Sequence, residues 1–395
     1  MPTNDTGAAG NGSGLPLRVA HLTAVHPRDD ARIFTKECCA LRRAGYEVHL
    51  VAPGGADTVR DGVHIHAVTA SSTRVRRMTR TALAVYQAAR EIDADIYHFH
   101  DPELIPIALM LRRGSKLVVY DSHEHLPQQI LTKPWIASPL RRPLAFVADL
   151  GERAASRFMS AVVTAEPYVR RRFTGTAVTT VTVGNYPMLE EFPVRGTPFT
   201  ERERAVCYAG ALTELRGVHR MVRAIDRTDA TLYLAGRFQS STLEYEVSCD
   251  SGWRRVRYLG HVTRAALADM LARVRAGLVV LDPIPNYVEA NPTKMFEYMS
   301  AGIPVIASDF PVWREIISRY ECGVCVDPTS VDAIADAIQT MLDDPEAAER
   351  MGQNGRRAVE CFYNWEEERR ILLTLYAELA GGAAALGGVR TAIAG

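Results

Sequence analysis

The chain has 395 residues, 47% of them hydrophobic and 23% charged, which excludes a disordered, collagen-like or coiled-coil protein and suits two or three globular domains. Its 46 basic and 46 acidic side chains give a formal net charge of zero. The basic excess of nucleic-acid-binding proteins is therefore missing, and we expect no nucleic-acid partner. Only four basic residues are lysines, and Lys294 is the only lysine between positions 194 and 395.

Residues 1–16 are rich in Gly, Asn, Ser and Thr and lack the apolar core of a signal peptide. No uncharged apolar run approaches the ~20 residues of a membrane span. We expect a disordered tail over 1–16 and a cytoplasmic protein. The seven scattered cysteines suit reduced thiols, and the CxxC of Cys322 and Cys325 lacks the second pair that a zinc site would need.

A first series of buried strands alternates with amphipathic helical stretches. Alternation of this kind predicts a parallel sheet with helices on both faces, and hence a Rossmann-like domain over 17–187. The predicted strands are LRVAHLT (17–23), YEVHLVA (46–52), ADIYHFH (94–100), KLVVYDS (116–122) and AVVTA (161–165), with helices over 33–45 and 79–92.

Three prolines and two glycines then interrupt both periodicities between Gly184 and Thr200, which places a linker at 188–200. A second series predicts another Rossmann-like domain over 201–362, followed by an amphipathic helix over 363–381 and a disordered end over 382–395. Its strands are expected at 204–210, 230–236, 254–260, 276–282, 302–308 and 322–328. Two such domains would face each other across a ligand-binding cleft.

The segment VEANPTKMFEYMSAGIPVIASD (288–309) predicts a short helix that begins in this cleft. Asn291 suits the N-cap, Pro292 the first helical position and Gly302 the end. Free backbone amides at such a helix start bind phosphate groups. Lys294 and Glu297 share a face, and a solvated salt bridge is the alternative reading. The scarcity of lysine favours a specific role for Lys294.

The E-x7-E spacing of Glu289 and Glu297 resembles the signature of retaining GT-B glycosyltransferases of family 4. HPRDDARIFTKE (26–37), YDSHEHLP (120–127), NYP (185–187), YAGALTELRG (208–217) and YNW (363–365) support the resemblance in the expected order. It implies an α/β GT-B fold of two doubly wound domains and a metal-independent enzyme without cofactor. Such enzymes move a hexosyl group from a nucleotide-sugar, here a UDP-sugar by expectation, to a hydroxyl-bearing small-molecule, saccharide or lipid-linked acceptor with retention.

The resemblance also implies roles for individual residues. Glu297 would hold the ribose hydroxyls and Glu289 the hydroxyls of the transferred sugar. Lys294 and Arg216 would neutralise the diphosphate, and His123 would contact the sugar near the reacting carbon. The donor site would also include Gly210, Asn291, Pro292, Thr293 and Arg237.

One departure from the family pattern concerns the position after Gly210, where Ala211 replaces a common arginine. This missing cation makes a catalytically weak nucleotide-sugar-binding protein one alternative to a transferase, and a sibling GT-B activity such as a nucleotide-sugar epimerase is another. The sequence carries no signal for an oligomeric state.

The first domain has a charge of +4 over 1–193, against −4 over 194–395, and is expected to hold the acceptor. Asp29, Arg32, His100 and Asp101 are the candidates, with an N-cap at Asp29 or Asp30 as the alternative.

Other polar clusters of the first domain invite alternative readings. Glu124 could orient His123. We read Asp93 and Asp95 as helix-end and turn carboxylates, and we do not expect His98 and His100 to bind a metal ion. The patch Arg74, Arg76, Arg77 and Arg80 either makes weak peripheral contact with the inner membrane face or forms a solvated helix start, and we favour the latter.

Overall fold

The computed structural model describes residues 16–71, 73, 76–133, 135–193 and 198–393, with side chains to residue 381. Residues 1–15 of the expected tail lie outside this range.

The first domain is built on a sheet of eight strands within the described residues. Its order is β3–β4–β2–β1–β5–β6–β7–β8, and all neighbours are parallel except the antiparallel pair β3 and β4. The strands are β1 (Arg18–Leu22), β2 (Glu47–Pro53), β3 (Thr58–Arg60), β4 (Val63–Val68), β5 (Ile96–Phe99), β6 (Leu117–Ser122), β7 (Ala161–Thr164) and β8 (Thr179–Thr182). The five strands predicted for this domain are confirmed, and β3, β4 and β8 were not predicted.

The second domain has a sheet of six parallel strands in the described part of the chain, and all six were predicted. Its order is β11–β10–β9–β12–β13–β14. The strands are β9 (Ala205–Ala209), β10 (Thr231–Ala235), β11 (Val256–Gly260), β12 (Ala276–Val279), β13 (Val305–Ser308) and β14 (Gly323–Val326). The strand order reverses at β1 in the first sheet and at β9 in the second, so the ligand crevice is expected beyond the carboxyl ends of these strands.

Helices cover both faces of each sheet. In the first domain, the π-helical segment Ala31–Cys38 continues as the α-helix Cys39–Arg43, and the segment Arg77–Thr81 continues as the α-helix Ala82–Ile92. The other helices of this domain are Ile105–Leu111, Leu126–Thr132, Ser138–Ser156 and Pro167–Arg170. In the second domain the helices are Val218–Ile225, Ser241–Ser248, Arg264–Leu271, Pro285–Val288, Thr293–Ser300, Pro311–Tyr320, Val331–Asp343 and Pro345–Phe362. Trp365–Ile393 is the last helix of the described chain.

The strands are buried on both faces because successive side chains enter opposite core layers. Along β6, Val118 and Tyr120 join one apolar cluster of the first domain, whereas Val119 joins the other. This two-sided burial explains why the strands read as continuous apolar runs.

The last helix, Trp365–Ile393, packs against the first domain although it follows the second in sequence. Trp365, Leu372, Leu375 and Tyr376 belong to the same core cluster as Ile33. The helix backbone extends past Gly381 to Ile393, into the end that was expected to be disordered over 382–395.

The expected linker contributes to domain packing at both ends. Phe192 and Phe199 are buried in the core of the second domain. Residues 194–197 lie outside the described range.

Candidate active site

A cavity of about 700 Å³ lies between the two domains, at the carboxyl ends of both sheets. The loops after β1, β6 and β7 form one wall, and the loops after β9 and β12 form the other. The predicted site residues on these walls are Arg32, His123, Gly210, Arg216, Asn291, Pro292, Thr293, Lys294 and Glu297. The structure therefore brings most of the predicted donor site together.

The helix Thr293–Ser300 begins at this cavity, as expected. Its N-cap is Pro292, and no side chain caps this end. The predicted N-cap at Asn291 is wrong because Asn291 reaches across the cleft, where its backbone amide and its Nδ2 donate to the Glu166 carboxylate at 3.1 and 3.0 Å. The helix start is left open toward the cavity, in the arrangement that suits a phosphate group.

Two cations meet beside Gly210, which follows β9. A β-carbon at Gly210 would lie 3.3 Å from Cε of Lys294 and 3.4 Å from Nη1 of Arg216. Burial and the charge of Arg216 lower the pKa of Lys294 to about 7. Two positive groups held this close repel each other, so the site is built to receive an anion.

Glu297 is buried on the same helix, and its Oε1 accepts a hydrogen bond from Nη1 of Arg264 at 2.6 Å. The same guanidinium also pairs with Glu191. Arg264 was not predicted, because it lies 33 residues away from Glu297 on another helix. It fixes the carboxylate at the cavity wall.

Two predicted donor residues lie apart from the cavity wall. The Glu289 side chain is 44% exposed at the rim, where the carboxylate pairs with Arg171 of the first domain at 3.4 Å. The backbone carbonyl of Arg237 accepts from the Leu212 amide at 2.9 Å. The donor contacts of Glu289 and Arg237 stay predictions.

His123 reaches the cavity from the loop after β6. Its Nε2 lies 2.9 Å from Oδ2 of Asp121 and 3.1 Å from Nδ1 of His100. The proposed orienting residue Glu124 is therefore wrong, and Asp121 takes that place. Asp121 and His123 lie two residues apart at a strand end and so share a side, which is the signal that could have identified the pair.

The Asp121 carboxylate is buried and receives two hydrogen bonds from Arg32, each 3.0 Å long. Burial by itself would raise the pKa of Asp121, but Arg32 and His123 hold it well below its usual value. Burial lowers the pKa of His100 to about 4, so this ring is neutral. An ionised carboxylate thus supports the imidazole at the cleft.

Three of the four acceptor candidates are engaged in contacts within the first domain. Arg32 is buried in its pair with Asp121, and His100 is enclosed behind His123. Oδ2 of Asp101 accepts from the Thr23 hydroxyl and from the backbone amides that follow, at 2.6–3.3 Å, which closes the turn after β1. Asp29 lies on an exposed turn away from the cavity wall.

The wall that the first domain presents is instead lined by His26, Asp30 and Glu166, which were not predicted as ligands. Asp30 caps the helix that begins at Ala31, accepting from the amides of the second and third residues of the turn at 2.9 and 3.0 Å. Burial raises the pKa of Glu166 to about 8. Glu166 lies two residues after the end of β7, so its position near a strand end was a usable signal.

Glu37, His98, His100 and Asp121 place buried ligand atoms within 4.8 Å of one another, a spacing that could hold a metal ion. However, Nε of Arg32 lies 3.1 Å from Glu37 and 3.0 Å from Asp121. A guanidinium already supplies the positive charge at this position, which argues for a structural cluster.

The remaining polar motifs have structural partners. Asp95 accepts from the Arg18 amide at 2.9 Å, and Asp93 ends a helix and pairs with Lys116 at 3.0 Å. Cys322 and Cys325 are free thiols.

Two family models match the two halves of the chain. The model described as Glycosyltransferase Family 4 covers residues 32–182, and the one described as Glycosyl transferases group 1 covers residues 192–358. The chain has the two domains of a GT-B glycosyltransferase. The cavity is thus the interdomain cleft of a GT-B fold.

Sequence relatives of this GT-B chain include a glycogen synthase of Mycobacterium tuberculosis, 27% identical over 40% of this chain and 39% of that protein. The match thus spans about two fifths of that relative. A phosphatidyl-myo-inositol mannosyltransferase of Mycolicibacterium smegmatis is 23% identical over 86% of this chain and 88% of its own length.

Solved structures share the GT-B fold over nearly the whole chain. Sucrose-phosphate synthase from Thermosynechococcus elongatus superposes with a TM-score of 0.75 at 19% identity, covering 93% of this chain and all of that one. Anabaena HepE in complex with UDP and glucose has a TM-score of 0.68 at 14% identity, covering 92% and 100%.

One residue of the basic patch that follows β4, Arg77, is engaged within the fold. Nε of Arg77 donates to Oε1 of Glu103 at 2.7 Å, and Arg74 lies outside the described residues. No helix in the described ranges is both long and apolar enough to cross a membrane.

Proposed function

We propose that this protein is a retaining glycosyltransferase that transfers a hexosyl group from a nucleoside-diphosphate sugar to an acceptor hydroxyl. The observation that carries the proposal is the meeting of Lys294, Arg216 and an uncapped helix start beside Gly210. As the glycosyl bond breaks, negative charge accumulates on the leaving diphosphate, and fixed cations and amides stabilise it without reorganisation. The same groups would take the place of a metal ion, so metal-independent transfer is part of the proposal.

The remaining contacts of the donor follow from the shape of the cavity. Glu297, held by Arg264, presents a carboxylate that suits the vicinal hydroxyls of a ribose. HepE, which shares this fold, has been solved with UDP and glucose, and we propose a UDP-sugar as the donor. Glu289 could contact the sugar only after it leaves Arg171, which requires the domains to move.

The acceptor hydroxyl would approach from the first domain, near His123. In the proposed reaction the bond between the anomeric carbon and the β-phosphate oxygen breaks, and a bond to the acceptor oxygen forms on the same face. The acceptor proton passes to the departing phosphate oxygen. His123, held by Asp121, would position the sugar beside the reacting carbon. No carboxylate is assigned as a covalent nucleophile.

The test measures donor binding and turnover in matched variants. Lys294→Met and Arg216→Gln should strongly reduce the thermal stabilisation by UDP and the release of UDP from a panel of UDP-hexoses. Lys116→Met, a change at a lysine paired with Asp93 far from the cavity, should leave both unchanged. Chelation with EDTA should not lower turnover.

The two alternatives to a transferase predict different results in this test of binding and turnover. UDP binding without turnover for any hexose or acceptor would favour a nucleotide-sugar-binding protein, consistent with the missing cation at Ala211. Formation of an epimeric sugar without an acceptor would favour an epimerase. Full activity in both site variants would refute the proposed site.

A further inference from the structure

The helix Ser138–Ser156 directs most of its large apolar side chains toward the outside of the protein rather than toward the core. Over its 19 residues it buries only Ala145, Glu152 and Ser156, which recur at intervals of seven and four and so mark one narrow stripe. A helix of a globular protein ordinarily directs its apolar residues to the core and its polar residues to water. Here the arrangement is reversed.

Large apolar side chains occupy the outer face of this helix. Phe146, Val147 and Leu150 are 69, 63 and 60% exposed, and Leu140 and Leu144 are also exposed. At 100° per residue these five positions span a continuous arc opposite the buried stripe. Single exposed apolar residues need no explanation, but a contiguous patch of this kind indicates an interaction surface.

Basic residues flank the patch on one side. Arg142, Arg153 and Arg157 are exposed next to the position of Phe146 on the helical wheel. Of the two acidic residues of the helix, Glu152 is buried against Arg172, and Asp149 pairs with the same guanidinium and, at 3.7 Å, with Arg153, which leaves the charges of Arg142 and Arg157. The outward surface is therefore apolar and positively charged.

This combination favours one kind of partner. Arginines beside exposed Phe and Leu suit the boundary between anionic lipid head groups and acyl chains, where an amphipathic helix lies in the plane of the interface. A second copy of the chain, packed through the same face, would bring like charges together.

The patch lies next to the cleft. The helix Leu126–Thr132 packs against Ser138–Ser156, and Thr132 and Lys133 at its end line the cavity. Leu131, one residue before Thr132, is 40% exposed. The outward surface thus continues toward the first-domain wall of the cavity.

We propose that the outer face of Ser138–Ser156 docks on a bilayer with anionic head groups. The membrane then lies beside the cleft, and, resting on the proposed function, the acceptor is a hydroxyl carried by a lipid in that bilayer. This surface replaces the Arg74–Arg80 patch as the site of membrane contact.

The full chain is tested by flotation with vesicles of phosphatidylcholine, alone or mixed with phosphatidylglycerol. The wild type should float with the anionic vesicles and less with the neutral ones, and salt should weaken binding. The double variant Phe146→Glu/Leu150→Glu should lose binding. Arg142→Gln/Arg157→Gln should weaken it about fivefold for each charge removed.

The matched control is Tyr245→Glu/Val59→Glu, which places two charges at exposed apolar positions elsewhere and should float like the wild type. Thermal unfolding checks that each variant folds. A wild type that ignores anionic vesicles, or an apolar-face variant that still binds them, overturns the proposal. A wild-type dimer that Phe146→Glu/Leu150→Glu converts to a monomer also overturns it, in favour of a second copy.

Flotation is measured without donor, and UDP release from donor is measured without vesicles. A wild type that releases UDP from donor but does not float with anionic vesicles refutes the docking surface alone. Flotation by a protein that neither binds UDP nor releases it from any sugar refutes the proposed function and leaves the surface standing.

Discussion

Donor binding should be accompanied by proton uptake at Lys294. In the free protein, burial and Arg216 lower the pKa of this ammonium to about 7, so about half of it is neutral at pH 7. A diphosphate bound at the helix start would favour the charged form and return the pKa at least to the ordinary value of 10.5. Binding then becomes weaker as pH rises, because a proton must be acquired.

The magnitude follows from these two pKa values by linkage. From pH 7 to pH 8 the affinity for UDP should fall about fivefold, and from pH 7 to pH 9 about fiftyfold. Uptake should be about 0.5 proton at pH 7 and about 0.9 at pH 8. Phosphate groups, with a last pKa near 6, are largely ionised over this range and contribute little.

Isothermal titration with UDP at pH 7, 8 and 9, in buffers of different ionisation enthalpy, measures both quantities. The control is Lys294→Met, which should bind UDP weakly with an affinity almost independent of pH. A wild-type affinity that is constant from pH 7 to pH 9 would refute the reasoning. So would an equal pH dependence in Lys294→Met, because another group would then be taking up the proton.

Three further substitutions test how the fold supports the site. Gly236→Ala should destabilise the protein by about 3 kcal/mol or more in urea unfolding, since its φ is +148° and a β-carbon would lie 1.8 Å from the Gly210 carbonyl oxygen. Tyr298→Phe should cost about 1–3 kcal/mol, because the amide at the end of β9 loses its 2.9 Å acceptor. Asp121→Asn should cost about 3–5 kcal/mol at neutral pH, since the buried Arg32 loses the ionised carboxylate that accepts two of its hydrogen bonds. The folded pKa of Asp121 is depressed, so this last difference should be present above about pH 4 and shrink as pH falls below it.

Matched controls separate these effects from the substitution itself. Gly260→Ala, at φ +63° with nothing within 4 Å of a β-carbon, should cost only about 1–2 kcal/mol. Tyr245→Phe and Asp29→Asn alter exposed side chains and should be nearly neutral. Equal losses in control and test variants would contradict the assigned contacts.

The strands that could be predicted are those whose two faces are both buried, because they appear as uninterrupted apolar runs. All five residues of β9 are buried, for example. β4 places His64 and His66 on its less buried side, and β8 consists of three threonines and one valine. Half-exposed strands near a sheet edge lack the apolar signal, and so they were missed.

The donor side of the cleft could be predicted because its residues lie near strand ends and a helix start. Lys294 and Arg216 are far apart in sequence, but each follows a recognisable turn. The acceptor side was predicted less well. Arg32 and Asp101 lie in the right loops, yet their charged groups are used by Asp121 and by the turn after β1. Whether a charge faces a ligand or a neighbour depends on contacts between distant segments.

Exposure of the helix Ser138–Ser156 could not be inferred either. Its apolar residues recur with helical spacing, which ordinarily predicts an inward face. The burial of Ala145, Glu152 and Ser156 on the opposite side reveals the orientation.

The packing of Trp365–Ile393 on the first domain affects the order in which the protein is made. Trp365 and Tyr376 complete the core around Ile33, and Nδ1 of His98 lies 2.9 Å from the Tyr376 hydroxyl. During translation, the core of the first domain can therefore be completed only after the whole second domain has been synthesised. Its exposed core in the interval is a natural target for chaperones, and the second domain can finish folding before the first.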